Sequence, residues 1–237
     1  FEFGLNAKAI TMASGLEAGV IKTDSLLDAR KPIKYGKYKI YDYQPTRRQL
    51  APDDAIVNSS NIAMVRVQMA MGSDNTRKAF QKAGQFSQLD IEGLDVASPM
   101  VQKFWNELTA VTASYGHGFA VTPMHAAAVM ASFGNGGVLV KPTIFKTEPH
   151  LAEGKRLWSQ ATADYMLAAM RKNVVEGTGR LINIPEVQIA GLTSTSDLVI
   201  DGKYSEKDVI ATFAGIFPAD KPKYLVLTFL DRPRPLK

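Results

Sequence analysis

Three short groups of polar residues carry side chains that could take part in acyl transfer or proton transfer. Lys8 lies near the start of the chain, Ser59-Ser60-Asn61 lies well before its middle, and Thr193-Ser194-Thr195 lies near its end. Hydroxyl groups can attack an acyl group or relay protons, and a lysine amine can accept a proton. Because the groups are far apart in sequence, any shared chemistry depends on the elements that bring them together.

Other chemistries are excluded or weakly supported. The chain has no cysteine, which excludes disulfides, thiolate zinc sites and a cysteine nucleophile. His117, His125 and His150 show no metal-ligand spacing with one another or with carboxylates, so no metal and no cofactor are predicted. His117 lies in a glycine-rich segment and could line a cleft, although a structural role is favoured. Trp105 and Trp158 are expected to be packing residues.

The composition is that of a globular protein. The chain has 237 residues, 46% hydrophobic and 22% charged, which suits one large domain or two small ones. The 28 basic and 23 acidic residues leave a net charge of +5, spread along the chain. This excess favours a solvated surface over a dedicated acidic partner, and no nucleic-acid partner is predicted. No apolar run is long enough to span a membrane.

Helical patterns occupy most of the chain, and strand patterns follow at its end. Apolar periodicity and capping residues predict helices at 6–19, 52–71 with a break at 58–61, 73–83, 103–114, 123–133 and 159–174. The polar segment 28–50 is predicted to be an exposed hairpin or loop. Strands are predicted at 187–195, 209–217 and 224–230, with a hairpin turn at Asp201-Gly202. Residues 224–227 are nearly continuously apolar, as in a strand covered on both faces. The predicted class is α+β, a helical subdomain plus an antiparallel sheet.

Three short segments occur in a defined order and at defined spacings. Residues 1–8, at a predicted helix start, are followed 54 residues after Leu5 by Ser59-Ser60-Asn61 and 133 residues after Ser59 by Leu192-Thr193-Ser194-Thr195. This arrangement resembles the transpeptidase domain of class B penicillin-binding proteins, most closely the septal, cell-division type. The similarity extends to residues 15–21, 114–123, 177–179 and 214–224, and so covers nearly the whole chain. It implies a penicillin-binding-protein transpeptidase/β-lactamase-like fold over 1–237, expected to be a fragment without the first strands and without the last strand and helix.

The resemblance also implies roles for individual residues. The family pattern has a nucleophile motif S-x-x-K, a second motif S-x-N and a third motif K-T-G-T. Lys8 would accept the nucleophile's proton, Ser59 would relay protons, and Asn61 would bind a substrate amide. The strand 192–195 would lie along the substrate. In the family pattern, the Lys and Thr of this motif hold a substrate carboxylate.

This sequence departs from that pattern at three positions. Leu5 stands where the nucleophilic serine would be, Leu192 where the lysine would be, and Ser194 where the glycine would be, while Thr193 and Thr195 match. A leucine side chain cannot be acylated. Strand alternation places residues 192 and 194 on one face, and if that face is the cleft, an anion site is lost and the groove is narrowed.

The favoured hypothesis is a catalytically inactive transpeptidase-like domain that acts as a scaffold or regulator in cell-wall synthesis. Its partners would be a peptidoglycan stem peptide or other cell-wall synthesis proteins, on the extracytoplasmic face of the bacterial inner membrane, reached through an N-terminal anchor outside this sequence. Two alternatives stay open: an active D,D-transpeptidase or carboxypeptidase whose motif residues were altered, and a non-covalent peptidoglycan-binding module.

Plainer interpretations also compete for the individual residues. Lys8 could be a solvated helix lysine, Ser59 and Asn61 could simply cap a helix, and Thr193 and Thr195 fit any strand. A literal Ser73-Asp74-Asn75 tripeptide is expected to be a helix cap.

Overall fold

The computed structural model describes residues 1–36, 38–146, 154–200 and 203–234. The helices in this part of the chain are α1 (Gly4–Glu17), α2 (Pro52–Val57), α3 (Asn61–Met71), α4 (Ser73–Lys82), α5 (Glu107–Ala113), α6 (Pro123–Gly134) and α7 (Gln160–Glu176), with a 3₁₀ turn at Arg180–Ile182. The strands are β1 (Leu27–Asp28), β2 (Ile33–Tyr35), β3 (Tyr38–Ile40), β4 (Gln49–Leu50), β5 (Met100–Val101), β6 (Phe119–Ala120), β7 (Val138–Val140), β8 (Gly154–Arg156), β9 (Ala190–Ile200), β10 (Lys203–Phe217) and β11 (Tyr224–Asp231).

The main sheet is antiparallel, in the order β11-β10-β9. Ala214 at its centre lies opposite Leu192 of β9 on one side and Leu227 of β11 on the other. The remaining strands form two-stranded ribbons, β1-β4, β2-β3, β5-β6 and β7-β8. The predicted α+β class, with a helical part and an antiparallel sheet, is confirmed.

Helix α1 runs through the centre of the molecule. It contacts α3, α4, α6, α7 and β9, and eleven of its 14 residues are buried. A helix that is buried on all sides needs small and apolar residues around its whole circumference, which its alanines, Leu5, Ile10 and Met12 supply. The chain leaves the helix through Gly19, whose φ of +67° lies in the left-handed region that glycine adopts without strain.

The predicted break at residues 58–61 is confirmed, and it separates α2 from α3. The N-cap of α3 is Ser60, whose Oγ accepts a hydrogen bond from the Ala63 backbone N–H. The idea that Ser59 or Asn61 serves as the cap is therefore wrong. The capping serine is itself held, because its Oγ donates to the buried carboxylate of Asp42 at 2.7 Å.

Other local predictions fail for equally local reasons. Ser73 is the first residue of α4 and not its cap, which is Gly72, and Gly72 has no side chain to make a cap hydrogen bond. The helix predicted from 103 begins at Glu107, because the side chain of Asn106 accepts from the Thr109 N–H and ends the preceding loop. The predicted hairpin at 28–50 is confirmed as β2-β3 and is largely exposed.

Strand β11 is not covered on both faces. Tyr224 is 63% exposed and Val226 46% exposed, whereas the alternating Leu225 and Leu227 pack against the core. The apolar run therefore reflects side-chain type more than burial.

The predicted turn Asp201-Gly202 and His150 lie outside the described residues. Trp158 is buried and Trp105 is partly buried against the core, as expected of packing residues.

Candidate active site

The first two motifs meet in the structure. The Lys8 ammonium, on the second turn of α1, donates to Ser59 Oγ at 2.8 Å and to the Ser59 carbonyl oxygen at 2.9 Å. Ser59 lies in the tight turn between α2 and α3, and its φ of +50° is uncommon for a residue with a side chain. This turn directs both the hydroxyl and the carbonyl of Ser59 toward α1.

The environment of Lys8 weakens its hold on the proton. Burial lowers the pKa of Lys8 to about 8, against the opposing effect of the Asp42 carboxylate. A lysine with a pKa near neutrality can accept and release a proton, which an ordinary surface lysine does poorly. The Lys8–Ser59 pair therefore has the geometry and the protonation behaviour of a proton-transfer pair.

Asn61 is near this pair but makes a different contact. Its Nδ2 donates to the Tyr41 backbone oxygen at 3.1 Å. The side chain thereby ties the start of α3 to the chain just after β3. The second motif predicts Asn61 as a site residue but does not predict this bond.

Leu5 lies one turn before Lys8 and points into the protein. The side chain is 1% exposed and belongs to the main hydrophobic core. A polar nucleophile at this position would sit in apolar surroundings, whereas leucine fills them.

The third motif is divided between two faces of β9. Leu192 is 5% exposed and belongs to the same core, while Ser194 faces the start of α1, where a Cβ added to Gly4 would lie 2.6 Å from its Oγ. Residues 192 and 194 thus share a face, as strand alternation predicted. That face is turned toward α1, and Leu192 is buried there. Ser194 does occupy space beside Gly4.

Thr193 and Thr195 lie on the opposite face of β9. Thr195 is exposed, and Thr193 Oγ1 donates to Thr178 Oγ1 at 2.6 Å. Thr178 Oγ1 in turn donates to Asn173 Oδ1 at 3.0 Å, and Asn173 Nδ2 donates to the Gly191 carbonyl at 2.8 Å. This chain of bonds ties α7 to β9.

Neither Asn173 nor Thr178 was predicted to be a site residue. The matching segment 177–179 was a signal for Thr178. Nothing in the sequence marked Asn173, since it lies inside an ordinary helical pattern.

A second polar cluster lies beside the start of α1. Glu2 Oε1 accepts from the Gly118 N–H at 2.8 Å, and both carboxylate oxygens lie 3.3 Å from Tyr204 Oη. His117 Nδ1 is 3.5 Å from Glu2 Oε2, and its ring contacts that of Tyr204. Burial raises the pKa of Glu2 and lowers the pKa of His117. These contacts fit the structural role that was favoured for His117.

A cavity of about 680 Å³ adjoins this second cluster, with Glu2, Gly118 and Tyr204 among its lining residues. Lys8, Ser59 and Thr193 do not line it. In the described ranges, no group of three or more His, Asp or Glu residues is placed to hold a metal ion. No helix there is long and apolar enough to cross a membrane.

Comparison with known proteins decides the family. A family model described as the penicillin binding protein transpeptidase domain matches residues 7–236. The chain belongs to the penicillin-binding protein transpeptidase domain family. Within the matched range lie Lys8, Ser59, Asn61 and the strand 192–195, whereas Leu5 lies two residues before it begins.

Named relatives of this transpeptidase-family chain are similar over its whole length. The chain is 32% identical over 244 residues to a probable peptidoglycan D,D-transpeptidase FtsI of Caulobacter vibrioides, covering 99% of the chain and 41% of that protein. It is 26% identical over 238 residues to peptidoglycan D,D-transpeptidase FtsI of Escherichia coli, covering 99% and 40%. The chain thus spans about two fifths of the length of these relatives.

A solved structure confirms the fold. The structure of the TP domain of Burkholderia pseudomallei penicillin-binding protein 3 superposes with a TM-score of 0.91 at 24% identity, covering 98% of this chain and 72% of that one. The penicillin-binding-protein transpeptidase/β-lactamase-like fold expected from the motifs is therefore present.

Proposed function

We propose that this transpeptidase-family domain is catalytically inactive and serves as a scaffold or regulator in bacterial peptidoglycan synthesis and cell division. The observation that carries the proposal is the buried Leu5 one turn before an intact Lys8–Ser59 pair. The proton-transfer partners persist, and the position assigned to the nucleophile offers no atom that can be acylated. Loss of the nucleophile in an unrelated serine hydrolase costs about 10⁶ in rate.

The third motif supports the same function. In the family pattern, a lysine at position 192 would help to hold a substrate carboxylate. Leu192 offers no charge and is part of the apolar core. Ser194 takes up space against Gly4 that a glycine would leave open. Three changes at separate positions therefore act in one direction, against acyl chemistry.

The relatives support a biological setting for this proposal. Both named FtsI proteins are described as peptidoglycan D,D-transpeptidases, actual or probable. We place this domain in the same process, on the extracytoplasmic face of the inner membrane, in contact with stem peptides or with other cell-wall synthesis proteins. The roles of Lys8, Ser59, Asn61 and residues 192–195 are those of a residual site without turnover.

The test is covalent labelling. The protein is incubated with benzylpenicillin beside an active transpeptidase domain, and the intact mass of each is measured. We expect an adduct on the active domain and none on this one. Any adduct overturns the proposal, and peptide mapping then locates it. An adduct at Ser59 would mean that the Lys8–Ser59 pair has become the acylating group.

The alternative is an active D,D-transpeptidase whose motif residues have been altered. It is distinguished at the level of the source gene. Codons for serine at position 5, lysine at 192 and glycine at 194 would establish it, and codons for the present residues would exclude it.

A further inference from the structure

The segment 30–48, which contains the β2-β3 hairpin, presents an excess of positive charge. Its exposed cations that lack an anionic partner within the described residues are Lys31, Lys34, Lys39 and Arg47. Arg30 and Arg48 are paired with Asp28 and Asp54. The segment's own carboxylate, Asp42, is buried and bonded to Ser60 and Ile62, so it offers no charge to the surface.

The register of the hairpin concentrates this charge. Lys34 lies directly opposite Lys39, and both are exposed. Like charges directly opposite each other in a ribbon are destabilising. The ribbon tolerates the pair because the neighbouring cross-strand pair, Ile33 and Ile40, is buried. An anion bound between the two ammonium groups would relieve the repulsion.

Exposed tyrosines lie beside these cations. Tyr41 is 53% exposed and Tyr43 is 96% exposed. Tyrosine provides a large amphipathic face at a small cost in conformational entropy, and it is a common contact residue in binding surfaces. The two isoleucines of the segment are buried, so it has no aliphatic side chains to insert into a lipid layer.

The segment is fixed to the candidate site. The Tyr41 carbonyl accepts from Asn61, and the next residue, Asp42, holds the Ser60 cap. The chain at Tyr41 is therefore held beside Asn61, a residue of the second motif. We call residues 31, 34, 39, 41, 43 and 47 the hairpin surface.

We infer that the hairpin surface binds a peptidoglycan strand away from the motif residues, with sugar rings stacked on Tyr41 and Tyr43 and stem-peptide carboxylates paired with Lys34 and Lys39. The inference rests on the proposed function only for the choice of polymer. The surface lies outside the motif residues and does not depend on whether acylation occurs.

The experiment is cosedimentation of the whole chain with purified peptidoglycan sacculi. Lys34→Gln with Lys39→Gln should weaken binding about fivefold, as expected for two partly screened charge pairs. Tyr41→Ala with Tyr43→Ala should weaken it by a similar factor. The matched control is Lys221→Gln with Lys223→Gln, two exposed lysines in the turn between β10 and β11, which should leave binding unchanged.

Three further arms separate the possible sources of binding. Sacculi with esterified carboxylates should bind the wild type about as weakly as untreated sacculi bind the lysine double variant. Raising the salt from about 0.05 to about 0.3 M should reduce wild-type binding more than that of the variant. Phosphatidylglycerol vesicles should bind more weakly than sacculi.

Four results would overturn the inference. Unchanged binding by the lysine variant, or undiminished binding to esterified sacculi, would show that carboxylates are not recognised. Unchanged binding by the tyrosine variant would exclude stacking on sugar rings. Equal or tighter binding to the vesicles would assign the surface to lipid. A penicillin adduct would overturn inactivity and leave this inference standing.

A stability measurement guards against misfolding as the cause. Because Lys34 and Lys39 repel each other, their replacement by glutamine should not lower the melting temperature. Lost binding accompanied by a lowered melting temperature would contradict the repulsion on which the inference depends.

Discussion

The ammonium group of Lys8 lies 2.8 Å from the hydroxyl oxygen of Ser59, across the interface between α1 and the turn that begins α3. One turn earlier on α1, the Leu5 side chain is buried in the core. A proton-transfer pair and an inert nucleophile position thus share one helix. The fold therefore retains the geometry of a proton-transfer pair but has no side chain that can be acylated at the nucleophile position.

Lys8 should titrate far below an ordinary lysine. With a folded-state pKa of about 8, lowered from 10.5 by burial, Lys8 binds fewer protons when folded than when unfolded between those two pH values. Wild-type stability should therefore rise relative to that of Lys8→Met as the pH increases from about 8 to about 10.5. Urea unfolding of both proteins across this range measures the difference.

NMR titration of the lysine side chains provides the site-resolved check. A constant stability difference between wild type and Lys8→Met from pH 8 to 10.5 would show that the Lys8 pKa is not lowered.

Ser60, and not Ser59, should stabilise the start of α3. Ser60→Ala removes the acceptor of the Ala63 N–H and the donor to the buried Asp42 carboxylate. The expected cost is about 2 kcal/mol of unfolding free energy. Ser73→Ala is the matched control, because the start of α4 has no side-chain cap bond, and it should cost under about 0.5 kcal/mol. Equal losses in the two variants would contradict the cap assignment.

Asn173 should be as important to the third motif as the motif residues themselves. It is fully buried, and it bonds both the Gly191 carbonyl and Thr178. Asn173→Ala removes the hydrogen bonds to the Gly191 carbonyl and from the Thr178 N–H in buried surroundings, and should cost about 2–3 kcal/mol. The exposed Asn183 gives the control, since Asn183→Ala should change stability by less than about 0.5 kcal/mol. Denaturant unfolding measures both changes. A small loss of unfolding free energy in Asn173→Ala would contradict this role of Asn173.

The parts of this fold that the sequence predicted are those specified by local signals. The run of small polar residues at 58–61 cannot continue a helix without cost, so the α2–α3 break was visible. The three-stranded meander followed from strand patterns separated by turn residues. The motif order further predicted that Lys8 and Ser59 belong to one site, and they meet at 2.8 Å.

Other features could not be predicted from the sequence because they depend on tertiary contacts. Leu192 turns into the core because β9 packs on α1, which alternation alone cannot indicate. Ser60 became the cap in preference to Ser59 because Asp42, 18 residues away, holds its hydroxyl. The role of Asn173 arises only when α7 docks on β9. In each case the contact that sets the residue's role is made with a partner distant in sequence.

Reversion of the three motif positions should restore little acylation. Leu5→Ser, Leu192→Lys and Ser194→Gly together recreate the family pattern, but two of the changes place polar groups where leucines are buried. Losing each leucine should cost about 2–5 kcal/mol, and a lysine at 192 would also need a partner for its charge.

We therefore expect a destabilised protein that forms a penicillin adduct at under about 1% of the rate of an active domain, since a displacement of about 1 Å costs about 10²-fold. Stopped labelling reactions read by intact mass give the rate, with Leu181→Ser, at a position 92% exposed, as the stability control. Acylation at the full rate would mean that the residues around Lys8 and Ser59 are already arranged for catalysis and that inactivity rests on the three substitutions alone.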